Sequence, residues 1–467
     1  MTAWIGFCIL GGLVLRIIGA RGDLWQDEIW TFDLLRTVTS PLGIFLDMSA
    51  DNNHFLNTLY LYYVGPDATP MVQRGLSILL GTAMIAAAAV LLRRAHWIAA
   101  AIGAAFFAFC YPMVHYGSEA RGYAGLLLFM VTSIYLVERE LAAPARRNRI
   151  WLGISNLLGT LFQPIMLGTV AVLIAWIAWR RWRESKSIKQ ALTDTQEIFS
   201  VTVRLMLVVA VLAVIAVYRV GGYKILSSQP FEAATFLQGY GGMLRYTLGI
   251  PDSIPGWAVL GVVLPLALAA LAIFRDRLGA RTSFYAFTFF GLPAVLFCSR
   301  LPNLIQYRYH LLQSVALLLL MAEIFVFAWR RGGWIRALAL TVTAALAVGN
   351  AVEIGKLFLY QRGHYQGIVR TIATSGSPTV TGNYDGVVNT VMEFYANRLH
   401  LPVDYVSNAD FCGSNATWYV EATVTAADLP DAITLGGQEC PATFRLQVRS
   451  PVRSLSGWSW TLYRRAD

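Results

Sequence analysis

The chain has 467 residues, of which 56% are hydrophobic and only 14% are charged. Because a soluble domain carries about a quarter charged residues, this composition excludes an ordinary soluble enzyme. The net charge of +10 would suit a nucleic-acid-binding protein, but the basic residues cluster in short loops between apolar runs, which is typical of cytoplasmic loops. The sequence therefore predicts an α-helical polytopic membrane protein without a nucleic-acid partner.

The apolar runs recur along the chain, and most have about the 17–22 residues that cross a hydrocarbon core. With the N-terminus in the cytoplasm, every loop on the cytoplasmic side carries a basic cluster, as the positive-inside tendency requires. About eleven transmembrane helices are predicted, at 3–19, 76–92, 97–113, 122–137, 150–162, 165–179, 201–218, 257–274, 282–299, 310–329 and 335–352.

The first outer loop, 20–75, carries the acidic pair Asp27 and Glu28 just beyond the first span. Carboxylates beside a bilayer are costly to desolvate, so an acidic pair at this level indicates a function. Residues 54–65 are apolar but only twelve in number, too few to cross. They are therefore interpreted as a juxtamembrane helix on the outer surface.

Two further features concern the polar residues of the transmembrane region. The stretch 183–199 is rich in Lys, Asp, Glu and Gln, and it is interpreted as an amphipathic helix on the cytoplasmic membrane surface. Arg16 and Arg204 lie within spans near an end, and we interpret both as snorkelling to the interface.

The C-terminal region, 355–467, alternates Val, Thr and aromatic residues with polar ones, and this pattern predicts a small periplasmic α/β domain. The remainder, 1–354, forms the transmembrane domain and includes the first outer loop. Cys412 and Cys440 both lie in the C-terminal region. Outside the membrane they would form a disulfide, whereas in a cytoplasmic tail they would stay free thiols.

One predicted face of the membrane gathers carboxylates from the first loop and cations from several other loops. A carboxylate can act as a general base, and cations with tyrosine hydroxyls can hold a phosphate. This combination suits a phosphate-bearing lipid whose cargo passes to an acceptor hydroxyl or amine. The candidate residues are Asp27, Glu28, Asp51, His54, Arg121, Tyr123, Lys224, Tyr307, Arg308 and Tyr309.

A family resemblance starts at the acidic pair. Leu24-Trp25-Gln26-Asp27-Glu28, followed by Thr31, resembles the Asp-Glu motif in the first outer loop of the GT-C glycosyltransferases. The branch it is most similar to contains the protein O-mannosyltransferases and the lipid A aminoarabinose transferase. The segment 51–56, Asp-Asn-Asn-His-Phe-Leu, occupies the place of the bacterial members' Asp-x-His-Pro-Pro-Leu, with Phe55 and Leu56 replacing the two prolines.

Two later motifs extend the resemblance over about residues 1–310. The segment 118–124, Ser-Glu-Ala-Arg-Gly-Tyr-Ala, is similar to the family's Ser-x-x-Ala-Arg-x-Tyr segment after the third span. Gln306-Tyr307-Arg308-Tyr309 resembles the Arg-Tyr segment before a late span. Each motif is short, but all four occur in the family's order and on the predicted outer face.

The resemblance implies a GT-C glycosyltransferase of the bacterial inner membrane. It would move a hexosyl or pentosyl group from an undecaprenyl- or polyprenyl-phosphate donor, with inversion, to a periplasmic glycan, lipid or protein. Asp27 would be the general base and Glu28 its support. Arg121, Tyr123, Lys224, Tyr307 and Arg308 would bind the donor phosphate, and Asp51, His54 and Tyr309 would contact donor or acceptor.

No cofactor is required by this interpretation, although Asp27, Glu28, Asp51 and His54 offer ligands that suit Mg²⁺ or Mn²⁺. Two alternatives remain. An O-antigen-ligase-like transferase would use a diphosphate-linked donor, but it would be expected to gather its basic residues and a histidine in one large outer loop. A transporter or flippase of lipid-linked sugars would need ionisable residues near the middle of its spans, and the predicted spans are nearly charge-free there.

Overall fold

The computed structural model describes residues 1–223, 229–424, 428–437, 440–453 and 455–466. These residues are mostly helical, with strands confined to the C-terminal region. The helices are α1 (Thr2–Gly19), α2 (Gln26–Leu35), α3 (Gly43–Leu46), α4 (Phe55–Val64), α5 (Pro70–Gln73), α6 (Gly75–Arg93), α7 (Trp97–Phe109), α8 (Tyr111–Tyr116), α9 (Tyr123–Ala142), α10 (Arg146–Phe162), α11 (Met166–Ser185), α12 (Ile188–Val220), α13 (Ala233–Leu248), α14 (Gly256–Ile273), α15 (Arg275–Leu278), α16 (Arg281–Ala286), α17 (Leu292–Ser299), α18 (Leu311–Arg331), α19 (Gly333–Tyr360), α20 (Tyr365–Ala373) and α21 (Asp385–Leu399).

The predicted polytopic helical architecture is confirmed. Except for 97–113, which is divided between α7 and α8, the predicted spans coincide with helical segments. Seven helical segments of the described chain are long and apolar enough to cross a membrane. The helices α7 and α10 are shorter, with 13 and 17 residues. Both α9 and α11 have 20 residues but end in charged turns. The count of eleven spans therefore stays a prediction.

The amphipathic segment and the span that follows it form one helix. Instead of a separate surface helix over 183–199, α12 runs unbroken for 33 residues from Ile188. The Ser187 side chain caps its start by accepting a hydrogen bond from the Gln190 amide at 3.3 Å. The sequence from 188 to 220 contains neither Pro nor Gly, so nothing in it ends the helix at the polar-to-apolar boundary.

Arg16 is fully buried and does not snorkel, contrary to the interpretation above. Its guanidinium donates to the carbonyl oxygens of Gly12 at 2.9 Å, Phe107 at 3.2 Å and Met113 at 3.1 Å. The last two lie on either side of the break at Cys110, where α7 ends and α8 begins. A helix end leaves carbonyls without intrahelical partners, so Arg16 stabilises this interruption from the neighbouring helix.

The chain divides into two compact units. The first comprises 1–17, 38–60 and 74–353, and the second comprises 18–37, 61–73 and 354–467. The division near residue 354 lies next to the predicted domain boundary. Two segments of the predicted first outer loop, 18–37 and 61–73, however, group with the C-terminal region.

The second unit contains a six-stranded mixed sheet in the order β2-β1-β3-β6-β5-β4. Strand β1 pairs in parallel with β2 and β3, and the remaining pairs are antiparallel. The strands are β1 (Thr379–Gly382), β2 (Asp404–Tyr405), β3 (Trp418–Thr423), β4 (Ala432–Leu435), β5 (Ala442–Ser450) and β6 (Ser459–Arg465). With α20 and α21 preceding β2, the region is the small α/β domain predicted from its alternating pattern.

A disulfide joins Cys412 to Cys440, with their Cα atoms 5.5 Å apart. It links the 3₁₀ turn Asn408–Gly413 to the segment before β5. Cys440 packs against a buried cluster that includes Phe411, Tyr419 and Phe444. The crosslink therefore covers one edge of the hydrophobic core of the sheet.

Candidate active site

Two of the motifs singled out in the sequence meet in the first unit, around Arg121. The Arg121 side chain is only 4% exposed. Its Nε donates to His54 Nε2 at 3.1 Å, and one Nη donates to Asn52 Oδ1 at 2.8 Å. Two hydrogen bonds from different atoms of one rigid plane fix the orientation of the guanidinium. The 51–56 and 118–124 segments thus jointly position a buried cation.

The burial of this cation is compensated by a carboxylate. Glu119 Oε1 lies 3.9 Å from an Arg121 Nη, and Glu119 Oε2 lies 3.5 Å from His115 Nε2. Glu119 and His115 are both fully buried. Since a buried ion pair gains little net stability over apolar residues of the same volume, this arrangement is weak as a stabilising device and fits a functional one better.

His54 is held as a neutral imidazole. Burial, followed by the positive charges of Arg121 and Arg308, keeps its pKa well below the usual value. Its Nε2 accepts from Arg121, while its Nδ1 lies 3.3 Å from Gln163 Nε2. Because Nε2 accepts, the proton of the neutral ring is on Nδ1 and is available to the Phe162 backbone, with which the ring forms a hydrogen bond. His54 therefore orients Arg121 as an acceptor.

Close packing explains the glycine between Arg121 and Tyr123. A Cβ at Gly122 would lie 1.8 Å from the Phe162 carbonyl oxygen and 3.2 Å from the His54 Cβ. Only glycine permits α10 to approach the start of α9 this closely. Tyr123 is buried, with its ring 5.6 Å from the His54 ring and 5.1 Å from the Arg121 guanidinium carbon.

Arg308 approaches the same cluster from the segment before α18. It is half-buried, and its charge acts on His54 and on Tyr116. Burial is the largest factor that raises the pKa of Tyr116 well above its usual value, so this phenol stays protonated. Two guanidiniums, Arg121 and Arg308, thus lie within electrostatic range of one neutral histidine.

Tyr307 belongs to a chain of aromatic rings in the first unit. Neighbouring rings of the chain are 4.9 to 5.7 Å apart between centroids. In order, the rings are Tyr307, Tyr246, Tyr111, His115, Tyr116, Tyr123 and His54. Tyr307 is thereby connected to Tyr123 through packed rings.

The remaining predicted residues of the first unit lie near its surface. Asp51 is exposed and Tyr309 is half-buried. Both act electrostatically on Tyr223. Lys224, predicted as a phosphate ligand, lies outside the described residues.

The acidic pair lies in the second unit, in the first turn of α2. Glu28 is fully buried, and its Oε2 accepts a hydrogen bond from the Trp25 amide at 3.1 Å, which caps the start of the helix. Asp27, 9% exposed, precedes it, and its carbonyl accepts from Thr31 Oγ1 at 3.3 Å. Both carboxylates lie at the positive end of the α2 dipole, where negative charge is stabilising.

Asp23 and Tyr365 extend this acidic group. Asp23 accepts hydrogen bonds from the Gln366 backbone amide at 2.8 Å and from Gln366 Nε2 at 2.5 Å. The Tyr365 phenol lies within electrostatic range of Asp23, Asp27 and Glu28. Gln366 and Tyr365 were not predicted, because they lie more than 300 residues away from the pair and in no recognised motif.

The contacts of His54 do not fit a metal ligand. Its Nε2 faces the guanidinium of Arg121, and a neighbouring positive charge opposes the binding of a cation. Within the described residues, no three His, Cys, Asp or Glu side chains are grouped so as to hold a metal ion. Asp27 and Glu28 belong to one unit, and Asp51 and His54 to the other.

Comparison with known proteins gives matches only among solved structures. No family model matches the chain. No curated protein sequence matches it either. ArnT from Cupriavidus metallidurans, in the apo state, matches with a TM-score of 0.54 at 12% identity, covering 99% of this chain and 98% of that one.

Two structures of the Archaeoglobus fulgidus oligosaccharyltransferase also match. The complex with zinc and sulfate gives a TM-score of 0.52 at 10% identity, covering 90% of this chain and 67% of that one. The AglB complex with an inhibitory peptide and a dolichol-phosphate gives 0.51 at 12% identity, covering 90% and 69%. ArnT, a lipid A aminoarabinose transferase, and AglB are both GT-C fold glycosyltransferases. The chain has the GT-C fold.

The GT-C fold confirms the fold class that the four motifs predicted. The Arg121 cluster and the acidic pair both come from motifs of the resemblance. At 10–12% identity the likeness concerns the fold, so the roles of individual residues are argued separately.

Proposed function

We propose that this protein is an inverting glycosyltransferase that moves a sugar from a polyprenyl-phosphate donor to a hydroxyl or amine of a periplasmic acceptor. The observation that carries the proposal is the oriented, buried guanidinium of Arg121 beside His54 and Arg308, in a chain with the GT-C fold. The similar structure of AglB, in complex with a dolichol-phosphate, also supports the proposal. The acceptor is a cell-surface glycan, lipid or protein.

The Arg121 cluster supplies the positive charge that such a donor requires. When the sugar leaves, the second negative charge of the polyprenyl phosphate develops on an oxygen, and fixed cations stabilise it. Arg308 is the more accessible of the two arginines and would contact the phosphate directly, with Tyr307 and Tyr123 completing its surroundings. Because phosphate is a good leaving group, no nucleotide-binding loop is needed.

Asp27 is the proposed general base. It would take the proton of the acceptor as the acceptor oxygen or nitrogen bonds to the anomeric carbon and the bond from that carbon to the phosphate oxygen breaks. The configuration of the anomeric carbon is inverted in this single displacement. Glu28, by capping α2, holds the turn that carries Asp27. Asp51, His54 and Tyr309 would contact donor or acceptor.

The proposed location follows from the positive-inside tendency. The N-terminus would lie in the cytoplasm of a bacterial cell, and the acidic pair, the Arg121 cluster and the C-terminal sheet domain would lie on the periplasmic side of the inner membrane. The disulfide of Cys412 and Cys440 supports this placement, because disulfides persist in the oxidising periplasm.

The test is sugar transfer by the purified protein in nanodiscs, with a polyprenyl-phosphate sugar as donor. Asp27→Asn should lower kcat by about 10²–10⁴, the usual contribution of a general base. The Asp428→Asn variant is the matched control, since Asp428 is an exposed carboxylate of the same unit. Glu28→Gln keeps an oxygen for the Trp25 amide and should cost less than Asp27→Asn.

Three outcomes would contradict the proposal. Near-normal sugar transfer by the Asp27→Asn variant would show that Asp27 is not the general base. Transfer only from a diphosphate-linked donor would favour the O-antigen-ligase-like alternative. Lipid-linked sugar that crosses a liposome membrane without forming a covalent product would favour the flippase alternative.

A further inference from the structure

A second polar site lies in the first unit, away from the Arg121 cluster. It is a cavity of about 530 Å³ among the ends of several helices, lined by residues such as Arg94, Glu138, Arg180, Arg277 and Arg281. Glu138 belongs to the last part of α9, whereas Arg121 precedes the first residue of that helix. The length of α9 therefore separates the two sites by roughly 20 Å.

The charge of this cavity is arranged around Arg281. Arg281 forms ion pairs with Glu138 and Glu323, and Glu323 also accepts a hydrogen bond from Tyr285 at 3.0 Å. Arg94 also lies 3.5 Å from Glu138, so Arg281 and Arg94 together balance the two carboxylates inside the helix bundle. Four arginines and two glutamates line the cavity, so the lining carries an excess of two positive charges.

The excess charge resides in arginines near the opening. Arg277 is exposed, and its guanidinium lies over the Phe327 ring at 4.7 Å. Arg180 is half-buried and contacts Glu184 at 2.8 Å, an ion pair between neighbours on the surface of α11 that is weak in water. Both side chains can reorient toward an anion without breaking a strong interaction.

An apolar cavity adjoins the polar one. Its volume is about 270 Å³, and it shares Ala95, Arg277, Leu278 and Glu323 with the first. Its other lining residues are the apolar side chains of Ala99, Phe274, Ile324, Val326 and Phe327, together with the basic residues His96 and Arg330. Ile273, next to Phe274 at the end of α14, is 73% exposed, as expected of a side chain that faces hydrocarbon.

We propose that these joined cavities bind an anionic phospholipid, with its phosphate-bearing headgroup in the arginine-lined cavity and an acyl chain along the apolar one. Basic pockets between transmembrane helices are suited to such headgroups. The helix ends around the cavity carry the basic clusters that predict the cytoplasmic side, so the lipid would come from the cytoplasmic leaflet. A free phosphate ion would fill the polar cavity alone and leave the apolar one without a ligand.

The experiment measures lipid binding to the full-length protein in detergent by native mass spectrometry. Phosphatidylglycerol and phosphatidylcholine with identical acyl chains are offered in competition. Since each arginine near a headgroup contributes about 1 kcal/mol, the protein should prefer phosphatidylglycerol by about tenfold or more. The Arg180→Gln/Arg277→Gln variant should bind the two lipids nearly equally, whereas Arg180→Lys/Arg277→Lys should keep the preference.

The matched control is Arg146→Gln/Arg147→Gln. It removes the same charge from exposed residues at the start of α10 that do not line the cavity, and its lipid preference should equal that of the wild type. Equal loss of preference in this control would overturn the proposal, as would an unchanged preference in Arg180→Gln/Arg277→Gln. Displacement of the lipid by the water-soluble headgroup glycerophosphoglycerol, at the same concentration as the lipid, would also overturn it.

Discussion

At the scale of single residues, Arg121 is the side chain on which the proposed site depends most. Its planar guanidinium reaches Asn52 and His54 with separate nitrogens, and a lysine ammonium offers a single nitrogen in place of that fork. We expect Arg121→Lys to lower the rate of sugar transfer by about 10²-fold, through loss of transition-state stabilisation. Steady-state kinetics with a polyprenyl-phosphate sugar measure this.

Arg204→Lys is the control for that prediction. Arg204 is exposed, and among the described residues it donates to the Ser200 carbonyl at 3.1 Å within its own helix. The Arg204→Lys variant should therefore transfer sugar at the wild-type rate. If Arg121→Lys also transferred at that rate, the orientation of the guanidinium would have no part in the reaction.

A second residue-scale prediction concerns the pH dependence of stability. Burial, and then the charges of Arg121 and Arg308, hold the pKa of folded His54 well below its usual value. As pH falls through about 6.5, the unfolded chain takes up a proton at His54 and the folded chain does not, so stability present above that pH is lost. Proton uptake by His54 in the unfolded chain should lower the free energy of unfolding by about 1 kcal/mol between pH 7.5 and pH 5.5.

The measurement is the unfolding midpoint in detergent between pH 7.5 and 5.5. His54→Gln carries no titrating group, so its midpoint should fall less over this range than that of the wild type. His364→Gln, at an exposed position in the second unit, should follow the wild type. Parallel curves for His54→Gln and the wild type would mean that His54 titrates alike in the folded and unfolded chains.

At the scale of the elements, the approach of α10 to α9 depends on Gly122. A methyl group there would meet the Phe162 carbonyl at 1.8 Å, and a backbone atom cannot move aside as a flexible side chain can. Gly122→Ala should therefore destabilise the protein by about 1–3 kcal/mol, the usual cost of overpacking. In the control Gly261→Ala, within α14, the methyl group would meet nothing within 4 Å, so that variant should unfold at the wild-type temperature or slightly above.

Helices and motifs could be predicted from local patterns, whereas their contacts could not. Apolar runs reveal helices because burial in lipid requires long apolar segments. The apolar run 97–113 predicts a single span, but its helix is interrupted at Cys110. This interruption leaves no local signal, because it is stabilised by Arg16 from another helix. Likewise, the change from polar to apolar residues near position 200 predicts a boundary between two helices, whereas α12 continues through it.

The site was predicted as residue types and not as a network. The resemblance drew attention to His54 and Arg121, which are 67 residues apart, but only the fold places them 3.1 Å apart. It assigned Arg121 to phosphate binding, and the structure adds that Asn52 and His54 orient its side chain. The contact of Asp23 with Gln366 joins positions 343 residues apart and leaves no local signal.

At the scale of the whole molecule, the second unit is assembled from three separate stretches of chain. Helix α21 rests on α2, because the Phe394 and Phe32 rings stack 6.0 Å apart and the Tyr395 hydroxyl donates to the Leu24 carbonyl at 3.0 Å. The stretch 18–37 therefore covers apolar surface of α21. Within this unit, the turn that carries the proposed base and the C-terminal domain fold against each other.

This assembly predicts that the C-terminal region alone is incompletely folded. In a secreted fragment 355–467, Phe394 would lose its stacking partner and the apolar face of α21 would be exposed. Backbone amides of α21 should then exchange hydrogen faster than in the full-length protein, since local stability follows buried apolar contacts. The core beside the Cys412–Cys440 disulfide should stay protected, because its contacts lie within the fragment.

Adding a peptide of residues 18–37 should slow exchange in α21 again, and a Phe32→Ser peptide should not. Equal protection of α21 in the fragment and in the full-length protein would show that α2 does not support it.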